Sequence, residues 1–195
     1  MSYRGSVGAP TADALHTYAS EASSLTVFFR IVGFSGSLVA LALVGVLVAV
    51  ALLVRRSWLT LVAWLVAVLG GEALNLLLKD LFARPRPSFE QPLVVETSYS
   101  FPSGQAMESL VVYGMLAYFA VLTLRNQRMR VVSVCGAAVV VAMIGFSSEY
   151  LGAHYVSDVV GGFAAGGAWL SAVITSREAM RQRDIANQRG QVSSP

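Results

Sequence analysis

Charge is scarce in this 195-residue chain. Only 13% of its residues are Asp, Glu, Lys or Arg, about half the share usual in soluble domains. With 55% hydrophobic residues and a mean hydropathy of +0.64, that scarcity excludes an ordinary soluble fold and implies an integral membrane domain. Cysteine is scarcer still. Cys135 stands alone in an apolar run, which excludes a disulfide framework and leaves the redox compartment unmarked. Lysine also occurs once, at Lys79, beside abundant Ala, Val and Arg, a bias that accords with GC-rich bacterial coding. There is no internal repeat, and the first thirty residues are too polar for the apolar stretch of a cleavable signal peptide. The net charge is +3, but the basic residues sit in loops and at ends. That pattern argues for membrane topology and against nucleic-acid binding.

What is present is a series of apolar runs. Residues 1–12 are expected to be disordered. Asp13 to Arg30 mixes Leu15, Tyr18, Leu25 and Phe28 with His16, Glu21 and several serines, and reads as an interfacial helix too polar to span. Five runs then have the length to cross about 30 Å of hydrocarbon: Ile31–Val54, Trp58–Leu78, Ala106–Leu124, Val131–Phe146 and Val159–Thr175. The expected fold is an all-α membrane bundle of about five transmembrane helices plus the N-terminal interfacial helix. One domain covers 13–175, followed by a polar tail over 176–195 that starts helical and then frays. Arg55 and Arg56, then Arg125, Arg128 and Arg130, then Arg177, Arg181, Arg183 and Arg189 fall on one side, which the positive-inside rule makes cytoplasmic. Segments 79–105 and 147–158 then share the opposite face of a cell membrane.

That face collects three pieces of chemistry. Lys79-x6-Arg86-Pro87 ends the second run, and its prolines stiffen the turn so that a guanidinium can be aimed. Taken alone it reads as a basic patch snorkelling to headgroups. Pro102-Ser103-Gly104 opens the third run, where unpaired helix N–H groups suit an anion and Gly104 admits close approach. Alone it is an ordinary Ser/Pro helix start. His154-x3-Asp158 opens the fifth run. A carboxylate four residues after a histidine can reach one ring nitrogen and leave the other free to attack. Together they supply fixed positive charge, oriented donors and a nucleophile, which phosphoryl transfer requires.

Lys79-x6-Arg86-Pro87, Pro102-Ser103-Gly104 and Ser147-x6-His154-x3-Asp158 resemble the three signatures of the type 2 phosphatidic acid phosphatase and vanadium haloperoxidase superfamily, over residues 31–175. The resemblance implies a helical bundle with an extracytoplasmic site that needs no metal cofactor, and lipid phosphates or polyprenyl diphosphates as substrates. By the same resemblance His154 is the nucleophile, Asp158 its orienting partner, and Lys79, Arg86, Ser103 and Gly104 hold phosphate oxygens. Two positions depart from it. Gln105 stands where the family has the histidine that protonates the leaving group, and Ser148 where it has a phosphate-binding arginine. Neither replacement supplies the missing proton or charge at pH 7. General acid catalysis is worth about 10²–10⁴ in rate, so an alkyl phosphate suffers more than a diphosphate, whose leaving group is already a stable anion.

Glu72, Glu108 and Glu149 lie within or beside the same runs. Glu72, Asn75 and Lys79 share one helix face, and Glu108 follows Gln105 by one turn. Intramembrane carboxylates are costly and mark functional candidates, although pairing with Lys79 or Arg86 as plain structure explains them equally well. In a remodelled site one acid would replace the lost proton donor, or two or three would hold Mg²⁺ against a diphosphate. Three functions follow. The first is a phosphohydrolase acting on a lipid or isoprenoid phosphate, above all a diphosphate, through a phosphohistidine. The second is a non-catalytic phospholipid-binding or transport protein. The third is an altered, Mg²⁺-dependent enzyme acting on a prenyl diphosphate. The partners expected are the bilayer and that lipid substrate, with no nucleic acid. The sequence assigns no oligomeric state.

Overall fold

The computed structural model describes residues 23–86 and 98–192, and within them every regular element is helical. The elements are α1 (Ser23–Ser35), α2 (Leu38–Val54), α3 (Trp58–Phe82), α4 (Gly104–Thr123), α5 (Gln127–Tyr150) and α6 (Val156–Val192). The disorder expected for 1–12, most of the expected interfacial helix and Pro87 lie outside the described residues. Helices α3 to α6 are each long and apolar enough to cross a membrane, and α1 with α2 makes a fifth such unit bent by 41°. The expected first span from Ile31 is therefore broken. Gly36 and Ser37 interrupt it, and the Ser37 side chain caps the restart by accepting from Ala40 N. At the other end α6 runs on through the tail, expected to start helical and then fray, as one helix to Val192.

Polar satisfaction and small residues together set the packing. Gly162 and Gly166 let α6 approach the backbone of α4 closely. A Cβ on Gly162 would lie 2.6 Å from Ser103 O, and one on Gly166 2.8 Å from Met107 O. Without a hydrophobic driving force between helices in lipid, such close contact supplies the association energy. Buried Trp64 donates its indole N–H to Gly45 O at 2.9 Å, and Trp169 donates to Ala67 O at 3.0 Å, so neither large ring carries an unpaired donor. The core between α2, α3, α4 and α6 comprises Leu41, Ala63, Trp64, Ala67, Val111, Val112, Met115 and Val173.

Pairwise contacts give the helix directions. Asn75 meets Gly104, Gly71 meets Glu108 and Trp64 meets Phe119, so α3 and α4 run antiparallel. Gly162 meets Ala106, Gly166 meets Met107 and Arg177 meets Tyr118, so α4 and α6 run parallel. Two helices thus begin at the same end of the bundle as the α3 C-terminus, with their positive dipole ends together.

Gly162→Ala and Gly166→Ala should each lower the melting temperature in detergent, at about 1–3 kcal/mol for forced overpacking. Gly136 has open space around it, and Gly136→Ala should be neutral or stabilising. Equal effects at the three positions in a thermal-unfolding assay would contradict this packing.

Candidate active site

The site forms where the α3 C-terminus meets the α4 and α6 N-termini. Helix α3 ends at Ala83, whose backbone is left-handed (φ 43°) and whose N–H caps Lys79 O. That turn sends Arg84-Pro85-Arg86 back across the end of the bundle. Buried Lys79 donates to Ser98 Oγ at 2.9 Å and to Tyr99 O at 3.0 Å. Arg86 donates to Ser98 O and Ala153 O, each at 2.7 Å, and its Nη1 lies 3.2 Å from His154 Nε2. Lys79, Arg86 and His154 are therefore brought together as the spacing implied.

Two groups face the imidazole Nδ1, a backbone carbonyl and the Asp158 carboxylate. His154 Nδ1 lies 2.8 Å from Ser100 O, whereas Asp158 Oδ2 is 3.7 Å away, beyond hydrogen-bond length. A carbonyl can only accept, so Nδ1 carries the hydrogen, and in a neutral ring Nε2 carries the lone pair. Asp158, with no exposed surface, instead accepts from Arg84 Nη1 at 2.6 Å, from the Ser100 hydroxyl and from Tyr155 N at 3.0 Å. Its carbonyl takes Ser103 N at 2.9 Å. Asp158 thereby fixes Ser100, and Ser100 fixes the ring.

Ser103 and Gly104 sit at the start of α4. The Ser103 hydroxyl is fully buried and accepts from Ala106 N at 3.4 Å as a helix cap. At Gly104 the close neighbour is Asn75, whose Nδ2 would lie 2.7 Å from an added Cβ. Gln105 and Ser148 meet each other, with Ser148 Oγ donating to Gln105 Oε1 at 2.7 Å. The two positions that depart from the resemblance thus form one neutral contact.

A cavity of about 300 Å³ opens beside these groups, with Glu72, Asn75, Lys79, Gly104, Gln105, Glu108 and His154 in its wall. Glu149 is half-buried near the end of α5 and is not in that wall. Among the described residues no three His, Cys, Asp or Glu side chains cluster as a metal set would. Two residues escaped the sequence reading. Arg84 gives Asp158 its counter-charge, also donates to Ser157 Oγ at 2.7 Å and stacks 4.5 Å over the Tyr155 ring. Ser100 orients His154 largely through its carbonyl, which leaves no trace in sequence.

This geometry defines a membrane-embedded helical bundle with a pocket lined by Lys79 and His154 at one end. The chain belongs to the PAP2 superfamily, which matches residues 58–181. It is 42% identical over 115 residues to phosphatidylglycerophosphatase B of Bacillus subtilis (strain 168), covering 57% of this chain and about half of that relative, 55%. Its fold is similar to the crystal structure of a transmembrane PAP2-type phosphatidylglycerolphosphate phosphatase from Bacillus subtilis, with TM-score 0.77 and 30% identity, over 87% of this chain and 86% of the other. Aquifex aeolicus LpxE shares the fold at TM-score 0.64 and 19% identity, over 88% of this chain and 97% of the other.

Arg84→Met should lower the melting temperature more than Arg86→Met. It strands a carboxylate with no exposed surface, which costs about 3–5 kcal/mol for a fully buried pair and less here because Arg84 is 22% exposed. A larger loss in Arg86→Met would mean that Asp158 is not anchored through Arg84.

Proposed function

We propose that this protein is a membrane phosphohydrolase that releases inorganic phosphate from a lipid phosphate through a phosphohistidine at His154. One observation carries the reading. His154 presents Nε2 rather than Nδ1 beside the Arg86 guanidinium, with Nδ1 tied to Ser100 O. Simple anion binding has no use for a ring held in one tautomer with its lone pair next to a phosphate ligand. Lys79, Arg86 and the first N–H groups of α4 hold the phosphate oxygens. Both cations now donate to neutral carbonyls and hydroxyls, and a phosphate dianion makes stronger charge-assisted bonds.

The PAP2 relationship and the Bacillus subtilis relatives, named for phosphatidylglycerophosphate, support a lipid phosphate as the substrate class. Within it, an isoprenoid or other diphosphate loses least from Gln105. The route needs no metal. The site faces away from the cytoplasm, because Arg55, Arg56, Arg125, Arg128 and Arg130 flank the opposite ends of the helices.

The test is phosphate release in sealed right-side-out vesicles, using membrane-impermeant short-chain phosphatidic acid, phosphatidylglycerol phosphate and a prenyl diphosphate, with and without EDTA. Release without permeabilisation, unaffected by EDTA and lost in His154→Ala, is expected. Release only after permeabilisation would overturn the orientation. EDTA sensitivity with activity surviving in His154→Ala would overturn the mechanism. No release from any lipid phosphate would favour a binding role.

A further inference from the structure

The wall of the candidate active-site cavity contains two buried acceptors with nothing to accept. Asn75 Oδ1 and Glu108 Oε1 have no hydrogen-bond partner among the described residues, and their residues are only 4% and 7% exposed. A buried, unsatisfied polar atom calls for a ligand, a proton or an unusual role. Glu108 lies one turn along α4 from Gln105, the position that lacks the acid. Its carboxyl rests against α3 at Gly71, where an added Cβ would come within 3.4 Å of Oε1.

A second cavity of about 240 Å³ explains what passes Glu108. It is apolar, runs between α2, α3 and α4, and is lined by groups such as Val46, Ala49, Val68 and Leu69. It shares Leu38, Leu41, Glu72 and Glu108 with the His154 cavity. A lipid with its phosphate at His154 and its tail in the apolar groove must therefore thread past the two carboxyls. The first bond on the tail side of phosphorus is the one that breaks.

Resting on the phosphohydrolase reading, we propose that Glu108 is the catalytic acid that replaces the missing histidine, giving its proton to the leaving oxygen. A carboxyl buried in a membrane-embedded wall with an oxygen that no described group donates to is costly to keep as plain structure. Glu72, Lys79 and His154 are the other ionisable groups in that wall. As His154 Nε2 bonds to phosphorus and the P–O bond to the lipid breaks, the Glu108 proton moves to the departing oxygen. The products are a lipid alcohol, phosphohistidine and a Glu108 carboxylate. Water entering where the alcohol left then attacks phosphorus, Glu108 takes its proton back, and inorganic phosphate leaves Nε2.

Leaving-group dependence tests this assignment. The kcat/KM for phosphate release, which reports the steps up to departure of the leaving group and not the later attack of water, is compared for an alkyl phosphate (short-chain phosphatidic acid) and an aryl phosphate (p-nitrophenyl phosphate), whose phenolate leaves without a proton. Glu108→Gln should lower the alkyl-to-aryl rate ratio by about 10²–10⁴, and Gln105→His placed in Glu108→Gln should restore it. A retained first-turnover burst of p-nitrophenol in Glu108→Gln reports a folded protein. An unchanged ratio, or a ratio that falls without rescue by Gln105→His, overturns the assignment. If the wild-type protein releases phosphate from neither substrate, the phosphohydrolase reading itself fails and takes this one with it.

Discussion

Asp158 is a carboxylate with no exposed surface at the end of a membrane bundle, and such a charge persists only when it is fully paired. Its partners come from three separated stretches: Arg84 after α3, Ser100 before α4 and Tyr155 before α6. Satisfying one anion thus ties together three segments that sequence leaves far apart. The same bonds orient the Ser100 carbonyl, which sets the His154 tautomer. The proposed catalysis and the integrity of this end of the bundle share one electrostatic requirement.

The helix packing provides the second half of the site. Close approach of α6 to α4 at Gly162 and Gly166 brings two helix N-termini to one level, where backbone N–H groups favour an anion. Looser contact between α3 and α4 leaves the cavity open. There Gly71 and Gly104 make room for the side chains of Glu108 and Asn75. The result is a pocket with cations near His154 and carboxyls where it joins an apolar groove. That gradient is what supports the proposed lipid phosphate substrate, entering head first.

Much of this was legible in the chain itself. Apolar runs at spanning length gave the membrane helices, and the spacing of Lys79, Arg86, His154 and Asp158 gave the residues that meet. The errors have physical causes. The first run breaks at Gly36 and Ser37 because hydropathy is blind to a bend that a serine cap stabilises. The polar tail, expected to start helical and then fray, stays helical to Val192 because Arg, Glu, Gln and Ala are strong helix formers, and polarity reports solvent rather than backbone conformation. Arg84 was overlooked because two arginines flank Pro85, and the left-handed turn at Ala83 decides which of them meets Asp158. The Ser100 carbonyl, the nearer acceptor to the imidazole Nδ1, is a group every residue carries, so no spacing reveals it.

The central claim is that His154 Nε2 becomes phosphorylated. Rapid-quench labelling with a lipid phosphate carrying ³²P in its terminal phosphoryl group tests it most directly. The account predicts a protein-bound label that is acid-labile, stable to base and mapped to His154, appearing before free phosphate. Phosphate release with no protein-bound label, or a base-labile label on a carboxylate, would contradict it.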